Sequence, residues 1–138
     1  LGDNLFDLLL DEVAEVCSFP LRIFVNPPYN NPLPFVLRAT ALRKAGYFVV
    51  MLLPMDKSTE WFEVIRKEAN EVIDIIGFTD HKGNFNSGRI KFINPVTGNE
   101  VGGNNEGSMV VVFDPFADDF VQRSVSIGHI KKCGGYDD

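Results

Sequence analysis

Apolar and polar positions alternate along this chain in two different rhythms. Residues 4–17 carry Phe6, Leu9, Leu10, Val13, Val16 and Cys17 at helical spacing, with Asp3 or Asn4 placed to cap the helix. Phe19-Pro20 breaks that pattern, and Leu21 to Val25 reads as a short buried strand. Pro32 and Pro34 open a second helix near 34–45, and Gly46 closes it. Tyr47 to Leu53 is almost wholly apolar, so it predicts a central strand covered on both faces, stopped by Pro54. The run Asp56-Lys57-Ser58-Thr59 then introduces a helix over about 59–69, with Ser58 as the expected cap. Trp61, Phe62, Ile65 and Ala69 share one face of it.

The second half is less regular. Val72 to Phe78 predicts a strand, and residues 79–88 predict a polar loop. Arg89–Ile93 and Met109–Phe113 read as two further strands across a Gly/Asn-rich connection, 94–107. Residues 114–138 are weakly patterned. Strands separated by helices call for a parallel sheet with right-handed crossovers. The fold class is therefore α/β, mostly parallel, with an antiparallel hairpin at one edge. The expected division is a main region over 1–116 and an appendage over 117–138.

Composition narrows the class. The chain has 138 residues, 45% hydrophobic, with 12 Phe, enough for one domain with a real core. No apolar run approaches the roughly 20 residues of a membrane span, and the start lacks a basic signal-peptide region, so the expected location is cytoplasmic and off the membrane. The chain opens on Leu1 rather than Met, as a fragment or a processed chain would. Cys17 and Cys133 lie far apart and read as reduced thiols. A net charge of −6 argues against a general nucleic-acid coat protein but leaves room for a local basic groove.

One such place is the loop 79–92, where His81, Lys82, Arg89 and Lys91 surround Phe85. Arg and Asn side chains read purine edges, whereas a solvated hairpin would carry the same residues for solubility. His81 has no partner at metal-ligand spacing.

The stretch with the most chemistry is IFVNPPYN, residues 23–30. Pro27 and Pro28 hold φ fixed and offer no N–H, and Pro27 keeps Asn26 extended. A strand thus runs into a stiff corner that carries an amide and an aromatic ring. An exocyclic amine is a poor nucleophile, because its lone pair is conjugated into the ring. Acceptors such as the Asn26 amide oxygen and the Pro27 carbonyl would draw on its N–H bonds and favour sp³ character. Tyr29 offers a face for a flipped-out base. The same four residues could equally form a turn after a strand.

Four stretches in order, IFVNPPYNNPLPFV, VVMLLPMDKSTEWF, GRIKF and GSMVVVF, resemble the bacteriophage-type DNA N6-adenine methyltransferases over roughly residues 21–113. The resemblance implies a Rossmann-like methyltransferase sheet and methyl transfer from S-adenosylmethionine to adenine N6 in double-stranded DNA, with the adenine flipped out. It makes Asn26, Pro27, Pro28 and Tyr29 the catalytic corner. It sets Asn26 against the cofactor, and Asp3 near the cofactor's adenosine, although Asp3 could as well be a helix cap. Lys57 and Ser58 in the loop beside the corner, with Arg89 and Lys91 further on, become the DNA-contacting candidates. Methyltransferases of this class hold the methionine part of the cofactor in a loop upstream of the corner. About 20 residues are too few for that loop and its two strands, so a missing segment or a second chain would supply it. Rival readings are methylation of RNA or of a glutamine amide, and a cofactor-less module that binds nucleic acid or a partner.

Overall fold

The computed structural model describes residues 21–90, 92–93, 96–98, 100–101 and 106–135. The expected helix over 4–17, with Asp3, Asn4 and Cys17, and the candidate Lys91 lie outside the described residues. The elements in chain order are β1 (Arg22–Val25), α1 (Leu33–Lys44), β2 (Phe48–Pro54), α2 (Glu60–Glu68), β3 (Glu71–Ile76), β4 (Phe78–Thr79) and β5 (Phe85–Asn86). They continue with β6 (Phe92–Ile93), β7 (Glu100–Val101), β8 (Ser108–Phe113), β9 (Val121–Ser126) and α3 (Ile127–Cys133).

Five strands form one mixed sheet in the order β1-β2-β8-β3-β9. The pairs β1–β2 and β3–β9 are parallel, and β8 runs antiparallel to both β2 and β3. The antiparallel strand therefore sits inside the sheet, not at an edge as expected from sequence. Its burial explains why. Met109, Val111 and Phe113 are fully buried and face the same core as Val49, Met51 and Leu53 of β2 and Val72 of β3. An edge strand would leave that row half solvated.

Both long helices cover this face. Val36, Ala39 and Leu42 of α1 and Trp61, Phe62 and Ile65 of α2 complete the core. Gly46, at φ 97, ends α1 in the left-handed conformation that a residue with a side chain rarely adopts. Thr59, not Ser58, caps α2: its hydroxyl accepts from the Phe62 N–H at 3.3 Å. Ser58 instead donates to Asp56 Oδ1 at 2.8 Å, which holds the loop ahead of the helix.

Two strands differ in depth from the sequence reading. β2 alternates between buried and half-buried residues, so the described residues cover it on one face only. Arg22–Val25 forms a strand within the expected 21–25, but β1 is the first strand of the sheet and leaves Phe24 66% exposed. An unbroken apolar run cannot by itself separate a buried strand from an edge strand.

The later chain departs furthest. Strand β3 ends at Ile76, and Gly77 turns the chain into the β4–β5 hairpin within the expected loop. Residues 87–90 have no regular structure, and β6 pairs with β7, not with β8. Nor does the sheet end at residue 116, because β9 runs parallel along the whole of β3. Its pattern was weak because residues 121–124 are all exposed, so no apolar alternation marks them.

Candidate active site

Strands β1, β2 and β3 point the same way, so their carboxyl ends lie along one edge of the sheet. Ligands of open α/β sheets bind at that edge. Because β8 is antiparallel, it delivers its first residue, Ser108, to the same edge, directly opposite Pro54 at the end of β2.

The corner Asn26-Pro27-Pro28-Tyr29 leaves the end of β1 here. Pro27 is buried and anchors the turn, while Asn26 and Pro28 are exposed. The chain then re-enters the fold through buried Pro32, whose carbonyl accepts the first helical bond of α1 from the Val36 N–H at 3.0 Å. The Asn26 amide is thus presented outward on a backbone fixed on both sides.

Tyr29 is half-buried, and its hydroxyl lies 3.2 Å from Ser108 Oγ. Ser108 is fully buried. Two interstrand spacings, about 10 Å, separate the β1 and β8 axes, so the tyrosine spans the end of β2 to reach it. Sequence reasoning valued Tyr29 for its ring face alone and did not single out Ser108. The contact joins residues 79 apart, and only the insertion of β8 between β2 and β3 creates it.

The loop after β2 is built around Asp56 and Lys57. The Met55 N–H donates to the Gly107 carbonyl at 2.8 Å, which ties the loop to the residue before β8. Lys57 Nζ is 2.8 Å from Asp74 Oδ2 on β3 and 3.1 Å from Gln122 Oε1 on β9, and it lies over the Phe62 ring. Lys57 and Ser58 both follow the carboxyl end of β2. Each already has partners within the protein, Asp74 and Asp56 respectively.

Beyond β3 the β4–β5 hairpin continues from the same edge. Asp80 organises its turn. The carboxylate accepts the backbone N–H groups of Lys82 and Asn84 at 3.0 and 2.9 Å and the Asn86 side chain at 3.2 Å. The Asn84 N–H, followed by the Asn86 amide, holds this carboxyl below its ordinary range. Phe85 lies against Gly77, where an added Cβ would come within 2.6 Å of its ring, yet the residue is 73% exposed. His81, Lys82 and Arg89 are exposed around it. The Arg89 backbone is steadied by a bond from its N–H to Ser87 Oγ at 3.2 Å. No cluster of three or more metal-ligating side chains occurs among the described residues.

The class this architecture defines is a mixed α/β sheet that carries an amide-and-tyrosine corner and a polar hairpin at its carboxyl edge. Comparison gives that class its family. The family model described as DNA N-6-adenine-methyltransferase (Dam) matches residues 14–134, so the chain belongs to that family. It is 43% identical over 95 residues to the DNA N-6-adenine-methyltransferase of Haemophilus phage HP1 (strain HP1c1), covering 68% of this chain and 49% of the relative. It is 36% identical over 107 residues to the protein of the same name from Escherichia phage T1, covering 75% of this chain and 45% of the relative. The chain spans about half the length of these curated relatives. No solved structure matches it. No helix among the described residues is long and apolar enough to cross a membrane.

Proposed function

We propose that this chain carries the methyl-acceptor side of an enzyme that methylates the N6 amine of adenine in duplex DNA. The observation behind the reading is the Asn26–Tyr29 corner at the carboxyl edge of the sheet, in a chain of the adenine-methyltransferase family. A flipped adenine stacks on the Tyr29 ring and donates its N6 hydrogens to Asn26 Oδ1 and the Pro27 carbonyl. Those acceptors localise the nitrogen lone pair as the methyl arrives, and no strong base is needed until after transfer. Holding amine and electrophile in line supplies most of the acceleration.

S-adenosylmethionine is the methyl donor in this reading. It provides a sulfonium methyl when bound. Among the described residues Asn26 fits its methyl-bearing end. Asp3 is the candidate for its adenosine, and a further segment or a second chain would hold the rest. On the DNA side, Arg89 clamps a base or the backbone, Lys91 meets a phosphate, and Phe85 adds an exposed ring on the hairpin before them. Lys57 and Ser58 shape the loop beside the pocket and touch DNA only by sharing their present partners.

The deciding experiment is transfer of radiolabelled methyl from S-adenosylmethionine to adenine-containing duplexes, with the product nucleoside identified after digestion. Asn26→Ala should lower the rate by about two orders of magnitude or more, the usual loss when one preorganised polar contact to the transition state is removed. Activity near wild type in that variant removes Asn26 from the mechanism. A product other than N6-methyladenine overturns the substrate.

A further inference from the structure

We propose that Ser108 is a positioning residue for the target base, acting through the hydroxyl of Tyr29. The inference rests on the methyltransferase reading above and adds to it a residue far from the corner in sequence.

Ser108 is the first residue of β8 and is fully buried, together with Asn70 one of two buried polar residues among those described. A buried hydroxyl needs a partner, and the Tyr29 hydroxyl supplies one at 3.2 Å. Its neighbours fix Ser108 in turn. Pro54 faces it across the β2–β8 ladder, and the adjoining Gly107 carbonyl accepts from the Met55 N–H. Gly107 itself leaves little room, since an added Cβ would lie 3.3 Å from Met55 Cε. The serine therefore stands at the junction of the corner after β1 and the loop after β2. Neither loop can move relative to the other without stretching this contact.

Consequences for Tyr29 follow from its geometry. A half-buried tyrosine pinned only at Cα can rotate about χ1 and χ2. Pinned also at its hydroxyl, it presents one ring plane. A base stacked on that plane then has its amine at a fixed distance from Asn26, which leaves the backbone three residues earlier. Ser108 touches neither the base nor the cofactor in this scheme, and its effect passes wholly through Tyr29.

A double-mutant cycle tests the inference in the full chain with methyl-transfer kinetics. Ser108→Ala and Tyr29→Phe should each lower kcat/KM for DNA by roughly three- to tenfold, the worth of one net hydrogen bond. The combined variant should be no worse than either alone. Loss of fold stability from two independent defects would multiply instead. The second measurement is fluorescence of 2-aminopurine in place of the target adenine, which reports extrusion and stacking without turnover. Ser108→Ala and Tyr29→Phe should change the bound-state signal in the same way. Multiplying effects in the cycle, or a Ser108→Ala variant equal to wild type in both assays, overturns the positioning role while leaving the activity standing. A wild-type chain that methylates no DNA even when the segment or second chain completing the cofactor site is supplied overturns both.

Discussion

Asn70 offers a sharp test of how the sheet that carries the corner is held together. It follows α2, precedes β3, and is only 6% exposed. Its amide oxygen accepts from Arg43 Nε at 2.8 Å and from the Asp114 N–H at 2.8 Å. Its amide nitrogen donates to the carbonyls of Ala117 and Asp119 at 3.0 and 3.1 Å. One side chain thus joins the end of α1, the start of β3 and the connection between β8 and β9. Asn70→Ala does not strand all four partners. Arg43 Nε keeps the Asp114 carbonyl at 2.9 Å, and the Ala117 carbonyl keeps the Arg43 guanidinium. Asp119 is exposed, so water can replace what its carbonyl loses. The Asp114 N–H remains as the costly orphan, at about 1–3 kcal/mol, with roughly another 1 kcal/mol for the weakened arginine contact. The expected destabilisation is therefore about 2–4 kcal/mol. Urea unfolding followed by fluorescence of Trp61, the single tryptophan and a core residue, should show a lower midpoint at unchanged slope. Asn70→Asp keeps both acceptor contacts and should recover part of the loss at neutral pH. A loss below about 0.5 kcal/mol for Asn70→Ala, or an aspartate variant no better than alanine, would refute the account.

Arg89→Ala should weaken DNA binding: uniformly, with the salt slope reduced by about one, if the guanidinium meets a phosphate, or at one base position by about 1–3 kcal/mol if it reads a base edge. Unchanged titrations at every salt concentration would place the DNA elsewhere. The β4–β5 hairpin should lose order in acid, because the folded pKa of Asp80 is depressed. Its contribution is complete above the ordinary aspartate value of about 3.9 and fades as pH falls through the lower folded value. Exchange of the Asn84 amide proton followed down the pH scale checks this; protection that persists in strong acid, or that survives Asp80→Ala, would contradict it.

Elements that bury one face in local sequence order were legible from the chain alone. α1 and α2 announce themselves by proline entry, glycine exit and the Trp61–Phe62–Ile65 stripe, and β2 by its apolar run. The strand order was not legible, because it depends on where a distant segment inserts. Met109–Phe113 reads the same at an edge as between β2 and β3, since the pattern records how apolar a strand is and not who its neighbours are. β9 was invisible for the opposite reason: backbone pairing with β3 holds it while its first four residues are exposed. Thr59 displaced Ser58 as the cap because Asp56 captures the serine hydroxyl first, a competition that a cap rule applied one residue at a time does not register.

The same limit applies at the corner. Asn26 to Tyr29 are consecutive, so their chemistry survives as a short string. Their rigidity does not reside in that string alone. It comes from Pro32 bonding into α1, from Pro27 buried beneath the turn, and from a serine 79 residues away that arrives only because β8 runs backwards through the sheet. Were β8 parallel, Phe113 rather than Ser108 would stand at the carboxyl edge, and the Tyr29 hydroxyl would face a hydrocarbon instead of an oxygen. The direction of one interior strand therefore decides whether Ser108 reaches the Tyr29 hydroxyl, and, on the function proposed above, how tightly a stacked adenine would be registered against Asn26.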